Sequence, residues 1–599
     1  MTLFAAFENG IATLAMLAMV ALPLLEIAVR RLFGVGVPAS GPIVQHLTLW
    51  VGFLGAAIAA REGKLLALAT GTVIPPGPPR RIADIVAAAV ASWASLVLAW
   101  GGIQMVAAER EAQTTIGGGI PTWVAQIVLP VALALIALRL LWKAGPGWTD
   151  RLAASTGLVL AVVLMRAPQL VEGRAAWPGL TVIAIAAVFG MPLFAILGGA
   201  AAWLFLHDGI TPAAILIETY SLSVSPTLPA IPLFTLAGFL LAEGRASERL
   251  LRVFRALVGW IPGGTAVVCA VLCSFFTVFT GGSGVTILAL GGVLFPALLK
   301  DGYPERFALG LLTASGSLGL LLPPALPLIL YAVVAQIPIE DIFIGGILPG
   351  ILLTTMVAAW GVRVGIQSGA SWHPFRADEA VAAMWAAKWE LAMPALVLVA
   401  MFSGFATAVE AAALTAVYAL VVQTAIHRDL SLRRDLLRVV TECVTVVGGV
   451  LIILGVAVGL TNYLVNAQVP SLLVDWAREH ITSRFMFLLL LNVFLLAVGW
   501  LMEIFAAIVV VVPLIVPLGE AFGIHPVHLG IIFIANLELG FLTPLVGLNI
   551  FLASYRFKRP VLEVCRAALP MMGILGIGVL VITYVPWLTT GLLALLGRE

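Results

Sequence analysis

The run Phe279-Thr280-Gly281-Gly282-Ser283-Gly284 places hydroxyls and glycine-exposed backbone inside an apolar stretch. Hydroxyl oxygens and the carbonyls of unwound backbone are hard ligands, and together they suit a sodium ion. Further on, GLLLPP at 319–324 and GFLTPL at 540–545 interrupt apolar segments with helix breakers. A helix broken inside a membrane is tolerated only where protein, water or a solute satisfies its freed backbone groups. Its half-helix ends carry partial charge: N-terminal ends attract anions and C-terminal ends attract cations. The chemistry these pieces suit is co-transport of a carboxylate with sodium. Glu503 and Glu538 lie in the same apolar surroundings, with Asn536, Thr543 and Asn549 nearby. Ionisable groups at membrane depth are functional candidates by default. A glycine-rich helix-packing surface would also use Gly281 and Gly282. The Pro-broken segment that follows favours a binding site.

Two other chemistries use parts of these motifs. GGSG matches the GxSG signature of rhomboid-type intramembrane serine proteases, in which a histidine at membrane depth must deprotonate the serine. The seven histidines, His46, His207, His373, His427, His480, His525 and His528, are expected in loops or at segment ends. A hydrolase centred on Ser283 is therefore disfavoured. A P-loop needs Gly-Lys followed by Ser or Thr, and the one Gly-Lys here, Gly63-Lys64, is followed by Leu65. Energy must come from an ion gradient or from another subunit. Cys269, Cys273, Cys443 and Cys565 form no CxxC pair, so neither a metal centre nor a disulfide framework is expected. No cofactor is expected beyond sodium as the coupling ion. A net charge of +2 without a basic block gives no sign of nucleic acid.

The elements that position these residues follow from composition. The 599 residues are 62% hydrophobic and only 10% charged, against about 25% charged in soluble domains. This is an all-α polytopic membrane protein. Stretches 11–29, 82–108, 120–141, 176–206, 440–465 and 568–590 are each long enough to span a core of about 30 Å. Residues 1–145 read as four helices near 10–29, 44–60, 82–108 and 120–141. Arg61, Lys64, Arg80, Arg81, Arg139, Lys143 and Arg151 fall on one side, with Arg30, Arg31 and Arg110 on the other, which places the N-terminus in the cytoplasm. Glu8 precedes the first apolar run and the arginines follow it, the reverse of a signal peptide, so this segment is expected to stay as a helix. GPGW at 145–148 breaks the chain before a further apolar helix at 152–170.

In the larger part, Arg245, Arg249, Arg252 and Arg255 recur at helical spacing and predict a basic amphipathic helix on the cytoplasmic surface. Pro296 and Pro517, Gly302 and Gly523, Gly319 and Gly540, and Pro323 and Pro544 form pairs separated by the same 221 positions. Matching Gly/Pro interruptions in two halves mark the binding site of a secondary transporter. Flanking charge makes 263–299 a hairpin entering from inside, with FTGGSG at its tip. It makes 485–517 one entering from outside, with GWLME at 499–503 near its tip. The two repeats, about 229–335 and 447–556, are thus of opposite orientation.

At these residues the chain resembles the tripartite ATP-independent periplasmic (TRAP) transporters. The stretches that carry the likeness include FTGGSGVTILALGGVLFPALLKDGYP at 279–304, LGLLLPPALPLILYAVV at 318–334, GWLMEIFAAIVVVVPLIVPL at 499–518 and GIHPVHLGIIFIANLELGFLTPLVGLNIF at 523–551. Residues 1–145 are similar to the family's small four-helix subunit and 176–599 to its large subunit, joined by a connecting helix within 146–175. The resemblance implies a multi-pass protein of the bacterial inner membrane. It also implies an elevator mechanism with two re-entrant hairpins and two broken helices, a periplasmic substrate-binding protein as partner, a sodium gradient, and small organic acids as substrates. A divalent-anion:sodium symporter working without a binding protein is the alternative within transport. By motif, the implied sodium positions are Thr280, Gly281, Gly282, Gly319 and Pro323 in the first half, and Gly499, Met502, Thr543, Pro544 and Gly547 in the second. The candidate substrate contacts are Ser283, Ser315, Ser317, Pro324, Ala325, Glu503, Asn536 and Asn549. Four features depart from the family's usual pattern, the first being Thr280-Gly281-Gly282-Ser283 at the first tip, where SGS-like residues are usual. Ala325 stands where serine is usual, Leu545 where proline is usual, and Glu503 where aspartate is usual.

Overall fold

A computed structural model describes residues 3–67, 74–75, 77–371, 374–502, 504–543 and 547–598. Among the described residues the regular structure is helical apart from one two-stranded pairing, Thr115–Ile116 with Ile120–Pro121, and an isolated bridge between Ala67 and Pro192. Helix is the outcome expected where lipid offers backbone groups no partner. Ten described helices are long and apolar enough to cross a membrane, or eleven if a bent pair at 377–402 counts as one span. Two compact units result, Met1–Pro232 with Leu437–Pro470, and Leu233–Leu436 with Ser471–Glu599.

The first unit contains the four expected helices as Leu3–Phe33, Ser40–Glu62, Pro78–Ala112 and Thr122–Trp142. Glu8 is buried and accepts from Arg61 and Arg139, each at 2.7 Å. Two guanidinium groups on one carboxylate offset the desolvation that a lone buried charge would suffer. They tie the first helix to the second and fourth. The helix Leu436–Asn466 crosses Ser40–Glu62 at small residues. A Cβ on Gly55 would fall 2.1 Å from the Val444 carbonyl oxygen, and one on Gly448 would fall 2.2 Å from the Ala56 nitrogen. Close backbone approach of this kind replaces the hydrophobic drive that is missing between helices in lipid. The connecting segment forms a span over Trp148–Arg166.

Two expected spans are divided. Residues 176–206 form Trp177–Val188 and Leu193–His207, because Gly190 turns into the left-handed region at φ 91° and Pro192 cannot supply the N–H that would continue the helix. The 568–590 stretch likewise ends as Val561–Tyr584 and resumes as Trp587–Leu595 after Pro586.

Near its start the second unit contains the basic amphipathic helix, Ala246–Val258. Its Arg249 is buried between Glu390 at 2.6 Å and Asp429 at 2.7 Å. Burial pushes the Asp429 carboxyl up. The Arg249 hydrogen bond, the Arg245 backbone N–H and the Arg249 charge outweigh this and hold it below the ordinary 3.8. A carboxylate lowered in this way contributes stability that is present above its unfolded value and lost as pH falls through its folded one. Asp429→Asn is thus expected to lower the melting temperature at neutral pH and to flatten the acid limb of its pH profile. An acid limb parallel to the wild type would count against this.

Two helical hairpins follow. The first joins Gly264–Thr280 to Ser283–Lys300, and the second joins Arg484–Leu501 to Ile504–Ala521. Each precedes an interrupted helix: Glu305–Ser315 with Leu326–Ala335, and Pro526–Gly540 with Leu548–Phe557. Ser283 and Ile504 start their helices 221 positions apart, as do Glu305 and Pro526. The halves also exchange partners. Ser283–Lys300 packs on Leu548–Phe557, and Ile504–Ala521 packs on Leu326–Ala335.

Candidate solute and cation site

The first hairpin turns through two glycines. Gly281 caps Gly264–Thr280 in the left-handed region, φ 64°, which glycine reaches without a Cβ penalty. Gly282 is extended and precedes the Ser283–Lys300 helix. The tip therefore presents the C-terminal carbonyl end of one helix and the N-terminal N–H end of the next. It lies against the first interrupted helix: a Cβ on Gly281 would meet Leu326 Cβ at 2.8 Å, and one on Gly319 would fall 2.2 Å from the Ser274 carbonyl oxygen. The structure thus sets the tip at Gly281 against Leu326, and Gly319 against the preceding turn at Ser274, Thr277 and Val278.

Oxygen atoms crowd into this contact. Thr277 Oγ1 lies 2.8 Å from each of the Cys273 carbonyl, the Gly316 carbonyl and Thr286 Oγ1. Thr280 Oγ1 lies 3.2 Å from Thr286 Oγ1 and 3.5 Å from the Gly282 carbonyl. Each hydroxyl has one hydrogen to give. Three hydroxyls cannot serve all five contacts, so the group is rich in acceptors and short of donors. A cation coordinated by these oxygens would relieve that shortage. Thr277 and Thr286 are absent from the sequence-derived residue set, although each sits one helical turn from a tip hydroxyl, Thr280 and Ser283 respectively.

Beside this group, Ser315 is fully buried and its Oγ has no hydrogen-bond partner. Asn549 donates to the Thr313 carbonyl at 3.2 Å and leaves its Oδ1 unpartnered. Ser317 is occupied with the Ala314 carbonyl at 3.1 Å. Ser283 is buried at the head of its helix, and among the described residues no histidine reaches its hydroxyl. Ala325 precedes the Leu326–Ala335 helix, which has no side-chain cap. A serine there would offer an oxygen to the first N–H groups. With alanine they stay free of a side-chain acceptor, at a positive helix end next to the tip.

The second half has a corresponding close contact. A Cβ on Gly540 would fall 2.7 Å from the Gly499 backbone, where the hairpin crosses the interrupted helix. Met502 leaves the helix in an extended conformation. The Phe541 and Thr543 carbonyl oxygens both converge on Gly547, 2.4 Å and 2.6 Å from where its Cβ would be. Glu503, Pro544 and Leu545 lie outside the described residues. Asn536 is held within a helix-joining cluster: its Nδ2 donates to Asn492 Oδ1 at 2.6 Å, which also accepts from Thr583 at 3.1 Å. Glu538 is buried on the same helix, and neither carboxyl oxygen has a hydrogen-bond partner.

Known proteins are similar to this chain in sequence. Residues 180–588 match the family model described as "Tripartite ATP-independent periplasmic transporter, DctM component", and residues 19–146 match the corresponding DctQ component. The isethionate TRAP transporter permease protein DctMQ of Oleidesulfovibrio alaskensis is 32% identical over 486 residues, 79% of this chain and 75% of that one. The C4-dicarboxylate TRAP transporter large permease protein DctM of Vibrio cholerae is 33% identical over 391 residues, 62% of this chain and 86% of its own. The ectoine TRAP transporter large permease protein TeaC of Halomonas elongata is 28% identical over 369 residues, 61% and 86%. These relatives are permeases, not enzymes. With one model matching more than half of the sequence and a second matching its N-terminal part, the chain belongs to the tripartite ATP-independent periplasmic transporter family and carries the small and the large membrane components in a single polypeptide.

Proposed function

We propose that this permease is a sodium-coupled importer of a small organic acid, handed over by a periplasmic binding protein and carried by an elevator motion. The observation that carries the reading is the donor-poor oxygen group of Thr277, Thr280 and Thr286 with the Gly316 and Cys273 carbonyls. Hydroxyl and carbonyl oxygens at a hairpin tip are the ligand types a sodium ion takes in broken-helix transporters. Next to it, the uncapped N-termini of Ser283–Lys300 and Leu326–Ala335 supply N–H donors and positive helix ends for a carboxylate. Relatives named for isethionate, C4-dicarboxylates and ectoine transport point to compact solutes bearing an anionic group. Both hairpins and both interrupted helices belong to one compact unit, so a site built from them can travel as one body. The 221-residue offset and the loop charges support inverted repeats, with the hairpins re-entrant from opposite sides. The positive-inside bias supports a cytoplasmic N-terminus in the inner membrane.

The test is uptake by the full chain in proteoliposomes, with its cognate binding protein outside. Accumulation should need both an inward sodium gradient and the binding protein. Uptake without a sodium gradient would refute the coupling. Uptake at full rate without the binding protein would make the chain a stand-alone symporter.

A further inference from the structure

A cavity of about 450 Å³ lies between the amphipathic helix Ala246–Val258 and the helix Ala377–Ala386. It is remote in sequence from the hairpin tips and is not used by the solute site. Four arginines, Arg249, Arg252, Arg255 and Arg376, line it with one acid, Glu379. Their guanidinium groups differ in what they have left to give. Arg249 is committed to Glu390 and Asp429. Arg255 gives only Nη2 to Asp301, and Arg376 pairs with Asp378 and Glu379 through its two terminal nitrogens. Arg252 is exposed and has no hydrogen bond or ion pair among the described residues. Its whole fork is available, beside the unspent N–H groups of Arg255.

The surroundings say what kind of anion fits. Ala382, Ala383 and Ala386 make one wall apolar, and Ala256 adds an apolar contact from the facing helix. Trp260 lines the cavity and is 48% exposed, with its N–H already given to the Leu257 carbonyl. Phe375 and Trp385 are exposed close by in sequence, and Lys388 lies 3.5 Å from the Trp385 ring centroid. Exposed aromatic rings with adjacent cations mark the headgroup level of a bilayer. A basic amphipathic helix at that level lies in the interface and attracts anionic lipid.

We propose that this cavity binds the phosphodiester headgroup of an anionic phospholipid. Arg252 holds the phosphate bidentately, Arg255 adds a second cation, and the acyl chains leave along the alanine wall. A planar fork matched to two phosphate oxygens is the geometry that distinguishes arginine from lysine at such sites.

The probe is phosphatidylglycerol in phosphatidylcholine nanodiscs holding the full chain, read by native mass spectrometry of retained lipid and by melting temperature. Wild type should retain phosphatidylglycerol preferentially and be stabilised by it. Arg252→Gln should lose about fivefold in retention, the effect of one basic residue near a charged surface. Arg252→Lys, which keeps the charge and loses the fork, should fall between. Inorganic phosphate at matched phosphate concentration in phosphatidylcholine discs should not reproduce the stabilisation. Equal stabilisation by inorganic phosphate would make this a free-anion site and overturn the lipid assignment. Unchanged retention in Arg252→Gln would overturn the site itself. Should that variant fail to fold, unchanged retention in Arg252→Lys would overturn the fork.

Discussion

Thr286→Val is expected to raise the sodium concentration needed for half-maximal uptake by about ten- to a hundredfold. The figure follows from a contact to a charged group being worth about 1.5–3 kcal/mol. Valine keeps the branched shape of threonine and removes only the oxygen that both Thr277 and Thr280 face, at 2.8 and 3.2 Å. Without it the site keeps two hydroxyls and its carbonyls but loses the atom at the middle of the group. Maximal uptake at saturating sodium should change much less, because the hairpin backbone and the helix ends proposed to receive the solute are untouched. Thr286→Ser, which restores the oxygen on a smaller side chain, should return most of the sodium affinity. A folded Thr286→Val protein with an unaltered sodium dependence would remove the hydroxyl group from the ion site.

Much of this arrangement is legible from residue types, and the illegible part has a physical cause. Breakers announce themselves. Gly281 and Gly282, Gly319 with Pro323, and Gly540 all sit in runs that would otherwise continue as helix, and the 221-residue offset between Gly319 and Gly540 recurs between the observed helix starts at Ser283 and Ile504. The amphipathic helix is equally visible, because arginines at helical spacing need no partner to be recognised. What sequence does not carry is which ordinary residues meet. Thr277 and Thr286 read as unremarkable threonines in apolar helices, and only the hairpin's closure sets their oxygens 2.8 Å apart. Asn536 reads as a polar group free to bind solute, and packing engages only its amide N–H groups, with Asn492 and the Ile532 carbonyl, leaving Oδ1 without a partner. Segment boundaries are lost in another way at 176–206. Hydropathy sums over Gly190 and Pro192, while backbone geometry does not, and one long apolar stretch becomes two helices.

Gly319→Ala is expected to lower sodium-driven uptake by about ten- to a hundredfold. This is the transport equivalent of an overpacking cost of roughly 1–3 kcal/mol falling on the ion-bound geometry. The added Cβ would lie 2.2 Å from the Ser274 carbonyl oxygen and 2.8 Å from Thr277 Cβ. The nearest atom is backbone, so no side chain can rotate away to make room. Relief must come from moving the interrupted helix off the hairpin, and that movement pulls the Gly316 carbonyl from the Thr277 hydroxyl it meets at 2.8 Å. The loss should therefore appear chiefly as weakened sodium dependence, with the protein still inserted and monodisperse. Gly573→Ala is the matched control: a Cβ there meets nothing within 4 Å, and uptake should stay at the wild-type level. Normal sodium-driven uptake in Gly319→Ala would mean that the tip and the break can separate without cost, and the cation site could not then lie between them.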